Sequence, residues 1–185
     1  LTAYTTSLNF GASRPLTPSL QISGELTVTS TSGTPQQGTV TLDGNGDVVD
    51  TSHDYLAAVD DTGNEYYFSA QLIKNDLLKQ GDIGILNLRY YDTRNANTLR
   101  LGASSRYPVT NVWRLNPRID FSYRKRTDTD GTRLTVSPYL RTEYTLRKSF
   151  KLDFEGGMDL YKDENGLETT KRTNYFFMGG FRWSF

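Results

Sequence analysis

The last twelve residues of the chain, NYFFMGGFRWSF, carry an aromatic side chain at almost every second position. These aromatic residues are Tyr175, Phe177, Phe181, Trp183 and Phe185. Successive side chains leave a β-strand on opposite faces, so a period of two indicates a strand with one aromatic face. The chain therefore ends on a strand whose aromatic face needs apolar surroundings.

The same alternation recurs along the whole chain. It is clearest in WRLNPRIDFSYRKR, where Leu115, Ile119 and Phe121 share one face and Arg114 and Arg118 the other. The segments that show it are 4–12, 20–28, 66–72, 86–90, 99–103, 113–126, 133–145, 150–160 and 174–185. Helical periodicity does not extend over a useful length, so the sequence predicts an all-β protein with nine strands.

Two all-β architectures compete for this pattern: a soluble sandwich and a transmembrane barrel. The clearest segments run to 11–14 residues, whereas soluble strands usually hold roughly 5–6 residues and a tilted spanning strand about 9–11. Aromatic residues concentrate near the segment ends, as in interfacial girdles, and charged residues occur in mid-strand. The apolar fraction of 36% is also low for a soluble core, where roughly 45–50% is usual. These features favour the barrel.

Composition excludes several other classes. The chain has no cysteine, which leaves no disulfide framework and no thiolate metal site. No run approaches the ~18 apolar residues of a membrane helix. Lys plus Arg equals Asp plus Glu, at 21 each, so net charge gives no argument for a nucleic-acid partner.

The C-terminal strand resembles the assembly signal of Gram-negative outer-membrane β-barrels. Gly180, Trp183 and Phe185 match that signal, whereas Met178 stands where the family prefers a polar residue. The residues assigned to the signal are Tyr175, Phe177, Gly180, Phe181, Trp183 and Phe185. The resemblance implies a location in the bacterial outer membrane, lipid contact and recognition by the barrel-assembly machinery. The C-terminal half is also similar to barrels that follow larger periplasmic regions, so periplasmic domains upstream in the same chain are expected partners.

The predicted fold is a transmembrane antiparallel up-and-down β-barrel, with residues 1–185 as a single barrel domain or segment. A closed bacterial barrel has an even number of strands, and an open edge in lipid leaves backbone groups unpaired. We therefore expect at least one further strand upstream of Leu1, within a larger even-stranded barrel. A closed nine-strand barrel, with segment 4–12 paired to segment 174–185, would contradict this expectation.

The connections between strands predict the orientation of the barrel. The stretches RPLTP, NDLLKQG, RYPVTN and LRKS are assigned to the periplasmic side, and TRNAN, TDTDG, DENGLE and residues 30–64 to the outside. Segment 30–64 is expected to be a long, mobile extracellular loop, with a short hairpin around TVTLDGNGDVV. Its His53 and its DGNGD motif are interpreted as solvated loop features, since DGNGD lacks the terminal Glu of an EF-hand.

The polar face of the strands is predicted to line the lumen. Its members are Arg114, Arg118, Asp120, Arg124, Arg126, Arg133, Tyr139, Arg141, Glu143, Lys151, Asp153, Glu155, Asp159, Arg172 and Arg182. These charges are consistent with a cross-strand ion-pair network that plugs or stiffens the interior, and equally with a charged pore wall that selects solutes. The sequence does not separate the two interpretations.

Charge pairing also predicts a strand register. Opposite charges stabilise directly facing positions in a sheet, so Glu143 is expected to face Lys151 and Arg141 to face Asp153, with Tyr139 opposite Glu155. On the same argument Asp159 should face Arg172. A β-bulge is expected beside Pro138, because proline lacks the N–H that the ladder needs.

Three functions remain open at this stage. The first is a pore for solute or polymer passage, or the membrane anchor of a larger periplasmic or export protein. The second is a surface adhesin or receptor that acts through segment 30–64. The third, an integral membrane hydrolase, has the least support, because the sequence offers no catalytic constellation. We expect no enzyme activity, no cofactor and no metal.

Overall fold

The computed structural model describes residues 4–33, 40–42, 48–51, 61, 63–166 and 168–184. Within these ranges all regular structure is β-strand. The strands are β1 (Thr5–Thr17), β2 (Leu20–Thr31), β3 (Val40–Leu42), β4 (Val48–Thr51), β5 (Gly63–Asn75), β6 (Ile83–Thr93), β7 (Ala96–Pro108), β8 (Trp113–Arg126), β9 (Thr132–Arg147), β10 (Phe150–Asn165) and β11 (Glu168–Trp183).

Nine of these strands form one antiparallel sheet, in the order β1-β2-β5-β6-β7-β8-β9-β10-β11. Each strand pairs with the strand that precedes it in this sheet, so the topology is an up-and-down meander, as predicted. Strands β3 and β4 form a separate two-stranded hairpin, which confirms the hairpin expected within segment 30–64. His53 and most of the other residues of that segment lie outside the described residues.

The register separates one apolar face from one polar face across the whole sheet. A single row of cross-strand partners runs Phe10, Leu26, Phe68, Tyr90, Leu99, Tyr123 and Leu134. Rows of this kind define the apolar face, and the alternate rows define the polar face. Alternation with a period of two therefore persists through nine strands, as the pleat requires.

The apolar face is exposed instead of forming a core. Among the described residues, Ala96 is the only buried hydrophobic side chain, whereas Phe177 is 76% and Phe181 70% exposed. A soluble sandwich would cover this face with a second sheet. Within the described residues no helix is long and apolar enough to cross a bilayer.

Aromatic side chains lie at both ends of the apolar face. Tyr66, Tyr90 and Tyr123 lie towards the end of the sheet that carries the connection 32–62, which we call the loop end. Trp113 and Tyr144 are cross-strand partners at the opposite, turn end. Trp113 and Tyr123 are ten residues apart on β8, which is about 33 Å along the strand at about 3.3 Å per residue. At a tilt of about 40° this corresponds to a height of about 25 Å, the apolar band of an outer-membrane barrel.

The predicted orientation depends on one connection. The stretches TRNAN and DENGLE form tight hairpins, closed by the pairs Thr93–Ala96 and Asn165–Glu168. NDLLKQG, expected to be a short turn, is longer than either, since it separates Asn75 from Ile83. Only the connection 32–62 distinguishes the loop end by its length.

The seven-residue turn between β5 and β6 is held by a buried carboxylate. Asp82 is 1% exposed, and its two oxygens accept hydrogen bonds from the backbone N–H groups of Leu77 (2.6 Å), Leu78 (2.8 Å) and Lys79 (3.1 Å). Desolvation raises the pKa of Asp82, but these three donors outweigh it and hold the pKa below its ordinary value. The Nζ of Lys79 donates to the carbonyl groups of Pro108 and Val109, which joins this turn to the next one.

The predicted register between β9 and β10 is wrong by two residues. Glu143 faces Asp153, Arg141 faces Glu155 and Tyr139 faces Gly157. The predicted pairing would leave Arg147 alone at the turn, whereas a tight hairpin needs two residues. The observed hairpin is closed by the pair Arg147–Phe150, with a register shift between Phe150 and Lys151. Turn geometry therefore outweighs direct charge pairing.

Two further expectations are also wrong. Asp159 faces Asn174, and Arg172 faces Tyr161, because the hairpin turns at Gly166, whose φ of 56° suits a two-residue turn. No bulge accompanies Pro138: the β9 register with β8 is regular, and its shift with β10 lies only at the hairpin. The β9–β10 ladder lacks pairs opposite Pro138, but the register is the same on both sides of this gap. The missing N–H of proline therefore interrupts the hydrogen bonds without the extra residue of a bulge.

The sheet is open in the described part of the chain. There β1 is hydrogen-bonded only to β2, and β11 only to β10. The direct pairing of first and last strands that would close a nine-strand barrel is not observed. The expected upstream strand stays a prediction.

Candidate functional site: the polar face

The register places all the predicted lumen residues on the polar face. Arg124, Arg133 and Asp163 form one row of partners across β8, β9 and β10, and Asp120 faces Ser137 in a second row. Near the turn end, Arg114 faces Glu143, which faces Asp153, while Lys151 faces Arg182. The charged residues of this face are concentrated on β6 to β11, whereas its positions on β1, β2 and β5 are mostly uncharged polar residues.

At the turn end, a guanidinium group compensates the like-charged pair of Glu143 and Asp153. Nη2 of Arg141 lies 3.5 Å from Oε1 of Glu143 and 3.3 Å from Oδ1 of Asp153. Nδ2 of Asn116 also approaches Oε1 of Glu143, at 3.5 Å. The register that direct charge pairing disfavours is therefore tolerated, because Arg141 bridges both carboxylates from a neighbouring position.

The centre of the face is organised around Asp159. Its Oδ1 accepts hydrogen bonds from Oγ of Ser137 (2.5 Å) and Oη of Tyr139 (2.6 Å). The Tyr139 ring lies over Gly157, with the ring of Phe176 beside it at 5.5 Å between centroids. Arg118 lies 5.8 Å from the centroid of the Tyr139 ring. These contacts, from residues of β8, β10 and β11, fix the Tyr139 ring of β9 in one orientation.

Arg118 and Arg133 are each paired with an aspartate. Nε of Arg118 donates to Oδ2 of Asp120 at 2.5 Å. Arg133 binds Asp163 with both Nε (2.5 Å) and Nη2 (3.2 Å), the bidentate geometry that a guanidinium and a carboxylate favour. The ion pairs on the polar face are thus two separate Arg–Asp pairs and one group of three, in which Arg141 contacts Glu143 and Asp153.

The polar face carries two grooves between β6 and β10, and a further one along β1, β2, β5 and β6. The groove towards the loop end has a volume of about 510 Å³ and the groove towards the turn end about 470 Å³. Arg118 and Tyr139 line both grooves, so this cation–π pair marks the boundary between them.

Sequence reasoning missed three arginines of the polar face: Arg89, Arg100 and Arg106. Arg89 and Arg100 face each other across β6 and β7 and line the loop-end groove, whereas Arg106 lines the turn-end groove. Their signal was available, because Arg89 alternates with Leu88 and Tyr90. The predicted list began only at β8.

The residues assigned to the assembly signal occupy both faces. Tyr175, Phe177, Phe181 and Trp183 lie on the apolar face and are 60–76% exposed, while Gly180 faces Asp153 on the polar face. Phe185 lies outside the described residues. The role of this strand in assembly stays a prediction.

The described residues give little support for metal binding or catalysis. No group of three or more His, Cys, Asp or Glu side chains is placed there to bind a metal ion. His53 lies outside those ranges. The expectation that the chain is not an enzyme stays a prediction.

Comparison with known proteins supports the fold. No protein-family model matches the chain, and no curated protein matches it in sequence. The structure is similar to that of OmpT, an outer membrane protein of Vibrio cholerae, with a TM-score of 0.57 at 14% identity. The match covers 98% of this chain and 56% of that one, so this chain spans a little over half the length of its structural neighbour. The fold is that of an outer-membrane β-barrel wall, which agrees with the predicted location in the bacterial outer membrane.

Proposed function

We propose that the chain forms part of the wall of an outer-membrane pore for hydrophilic solutes, with the polar face towards the lumen and the apolar face towards lipid. The observation that carries this proposal is the contrast between the two faces. One face presents a bilayer-high band of exposed aromatic and aliphatic side chains, and the other presents charged grooves. In a membrane only a closed barrel satisfies the backbone of such a sheet.

The exposure of the charged side chains favours a pore wall over an ion-pair plug. The side chains of Arg118, Arg133 and Arg141 remain 61%, 45% and 43% exposed despite their ion pairs. A network that plugged the lumen from within these nine strands would bury these groups against one another. The pairs instead connect neighbours along the wall and leave the grooves accessible.

The length of the structural neighbour supports a wide barrel. Nine strands that correspond to 56% of its chain imply about sixteen strands in a complete barrel, if strands are evenly spread and their number is even. Barrels of about 16–18 strands leave an aqueous channel, whereas eight-stranded barrels are filled by side chains. The proposed pore therefore needs about seven strands in addition to the nine described.

Conductance of the full-length protein in planar bilayers tests the proposal. We expect steady single-channel steps after the folded protein is inserted. Insertion would be verified independently, by co-flotation with lipid vesicles and protection of the strands from protease. Protein that inserts but stays electrically silent would contradict the pore. It would favour the membrane anchor, or the surface receptor expected to act through segment 30–64.

A further inference from the structure

We propose that the loop-end groove binds a tetrahedral oxyanion, phosphate or sulfate, through Arg89, Arg100 and Arg124, which we call the arginine cluster. The proposal deepens the pore function by naming a class of solute. Binding itself does not require an open pore, so the two proposals can fail separately.

The arginine cluster arises from two adjacent pairs of like charges. Arg89 and Arg100 are direct partners across β6 and β7, and Arg124 and Arg133 are direct partners across β8 and β9. Like charges at directly opposite positions destabilise a sheet. All four side chains line the same groove of about 510 Å³. Arg133 is already paired with Asp163, so a bound anion would relieve the repulsion between Arg89 and Arg100 and would compensate the charge of Arg124.

The carboxylates of the groove leave this cluster uncompensated. The groove is lined by five arginines, Arg89, Arg100, Arg118, Arg124 and Arg133, and by two aspartates, Asp120 and Asp159. Asp120 is bound to Arg118, and Asp159 accepts hydrogen bonds from Ser137 and Tyr139.

Asp163, outside the lining, pairs with Arg133. In the described part of the chain, the three cluster arginines therefore have no carboxylate partner within ion-pair distance.

The geometry suits an oxyanion better than a simple halide. A guanidinium presents a rigid fork of N–H donors that matches phosphate and sulfate oxygens in pairs. Arg100 lies 5.7 Å from the centroid of the Tyr91 ring, and Tyr91 is held edge-to-face by Tyr67 at 5.7 Å. This contact pre-positions one guanidinium, while the exposure of all three arginines gives a solute free access.

Equilibrium dialysis of the full-length protein, folded in a zwitterionic detergent, tests the site with radiolabelled inorganic phosphate or sulfate as the probe. Replacing Arg89, Arg100 or Arg124 by Gln should weaken binding at least about tenfold each, because each removes a charge-assisted hydrogen-bond donor. Arg106→Gln is the matched control. It removes an exposed arginine from the same strand and face as Arg100, but from the other groove. Circular dichroism would verify that each variant is folded.

Loss of binding in the three cluster variants, with binding retained in R106Q, would support the site. Absence of binding by the unaltered protein, or equal loss in R106Q, would overturn it. Planar-bilayer recordings separate this result from the pore. A barrel that conducts no current but still binds phosphate would support the anion site and contradict the pore. A barrel that conducts current but binds no phosphate would support the pore and contradict the anion site.

Discussion

Gly157 on β10 is a position where one added methyl group should destabilise the barrel wall. A Cβ built there would lie 2.9 Å from the carbonyl oxygen of Pro138 and 2.9 Å from Cε1 of Phe176, and it would also meet the Tyr139 ring. The Pro138 oxygen belongs to the backbone of a central strand, so it cannot move without disturbing the sheet. Movement of the two rings relieves only the side-chain contacts, so the contact with the Pro138 oxygen also requires a local shift of the sheet.

The expected loss for Gly157→Ala is about 2–4 kcal/mol in the free energy of unfolding. Overpacking alone typically costs about 1–3 kcal/mol. Displacing the Tyr139 ring also endangers its 2.6 Å hydrogen bond to Asp159, and hydrogen bonds to charged groups contribute about 1.5–3 kcal/mol. Alanine loses less backbone entropy on folding than glycine, which offsets about 0.5–1 kcal/mol of this loss.

Gly156 supplies the matched control. A Cβ at Gly156 would lie 3.5 Å from Cδ2 of Phe177 and 3.7 Å from the Phe176 carbonyl oxygen, which are ordinary contacts. Gly156→Ala should therefore be neutral or slightly stabilising. Denaturant unfolding in detergent, followed by the fluorescence of Trp113 and Trp183, measures both variants. Equal unfolding midpoints for the two alanine variants would refute the reasoning, because both share the entropic gain and only one has the clash.

Three further predictions address the turns, the register and the orientation. Asp82→Asn should destabilise the folded protein at neutral pH. Because the folded pKa of Asp82 is lowered, its carboxylate stabilises fully above the ordinary value of 3.8, and this stability disappears as pH falls through the folded pKa. Denaturant unfolding should therefore show a difference between wild type and D82N that vanishes in acid.

The chain has no native cysteine, so two introduced cysteines can pair only with each other. Cysteines that replace Glu143 and Asp153 should form a disulfide readily, as measured by mobility on a non-reducing denaturing gel. A pair at Glu143 and Lys151 should stay reduced, because diagonal positions are about 7–8 Å apart. Efficient oxidation of the second pair would restore the register expected from charge. Protease added to intact cells should cut first within segment 30–64; cleavage only after permeabilisation would reverse the orientation.

The strand pattern was predictable because it depends on a local rule. Alternation identified all nine strands of the sheet and the face of every residue assigned to the lumen, because successive side chains leave a strand on opposite faces whatever the neighbouring strands are. It did not assign Asp163, which lies on the same face and pairs with Arg133. Even the hairpin of β3 and β4 followed from its turn residues. None of these properties depends on the register between neighbouring strands.

Register was not predictable from direct charge pairing, because it is set by the turn and then accommodated by side chains at diagonal positions. The facing pair of Glu143 and Asp153 looks unfavourable until Arg141 is placed beside both. The arginine cluster was missed for a related reason. Arg89 and Arg100 are eleven residues apart in sequence and become neighbours only through the β6–β7 pairing.

The up-and-down order of the sheet has a consequence for how the protein folds. Almost every ladder joins strands separated by a turn of a few residues, so the ordering entropy of each closure is small and the strands can pair one hairpin at a time. The β2–β5 ladder is the exception, because 31 residues separate Thr31 from Gly63. Relative to the seven-residue turn at Asp82, that closure costs about 1–1.5 kcal/mol more. We expect the strands from β5 to β11 to form one early folding unit, with β1 and β2 joining it as a preformed hairpin.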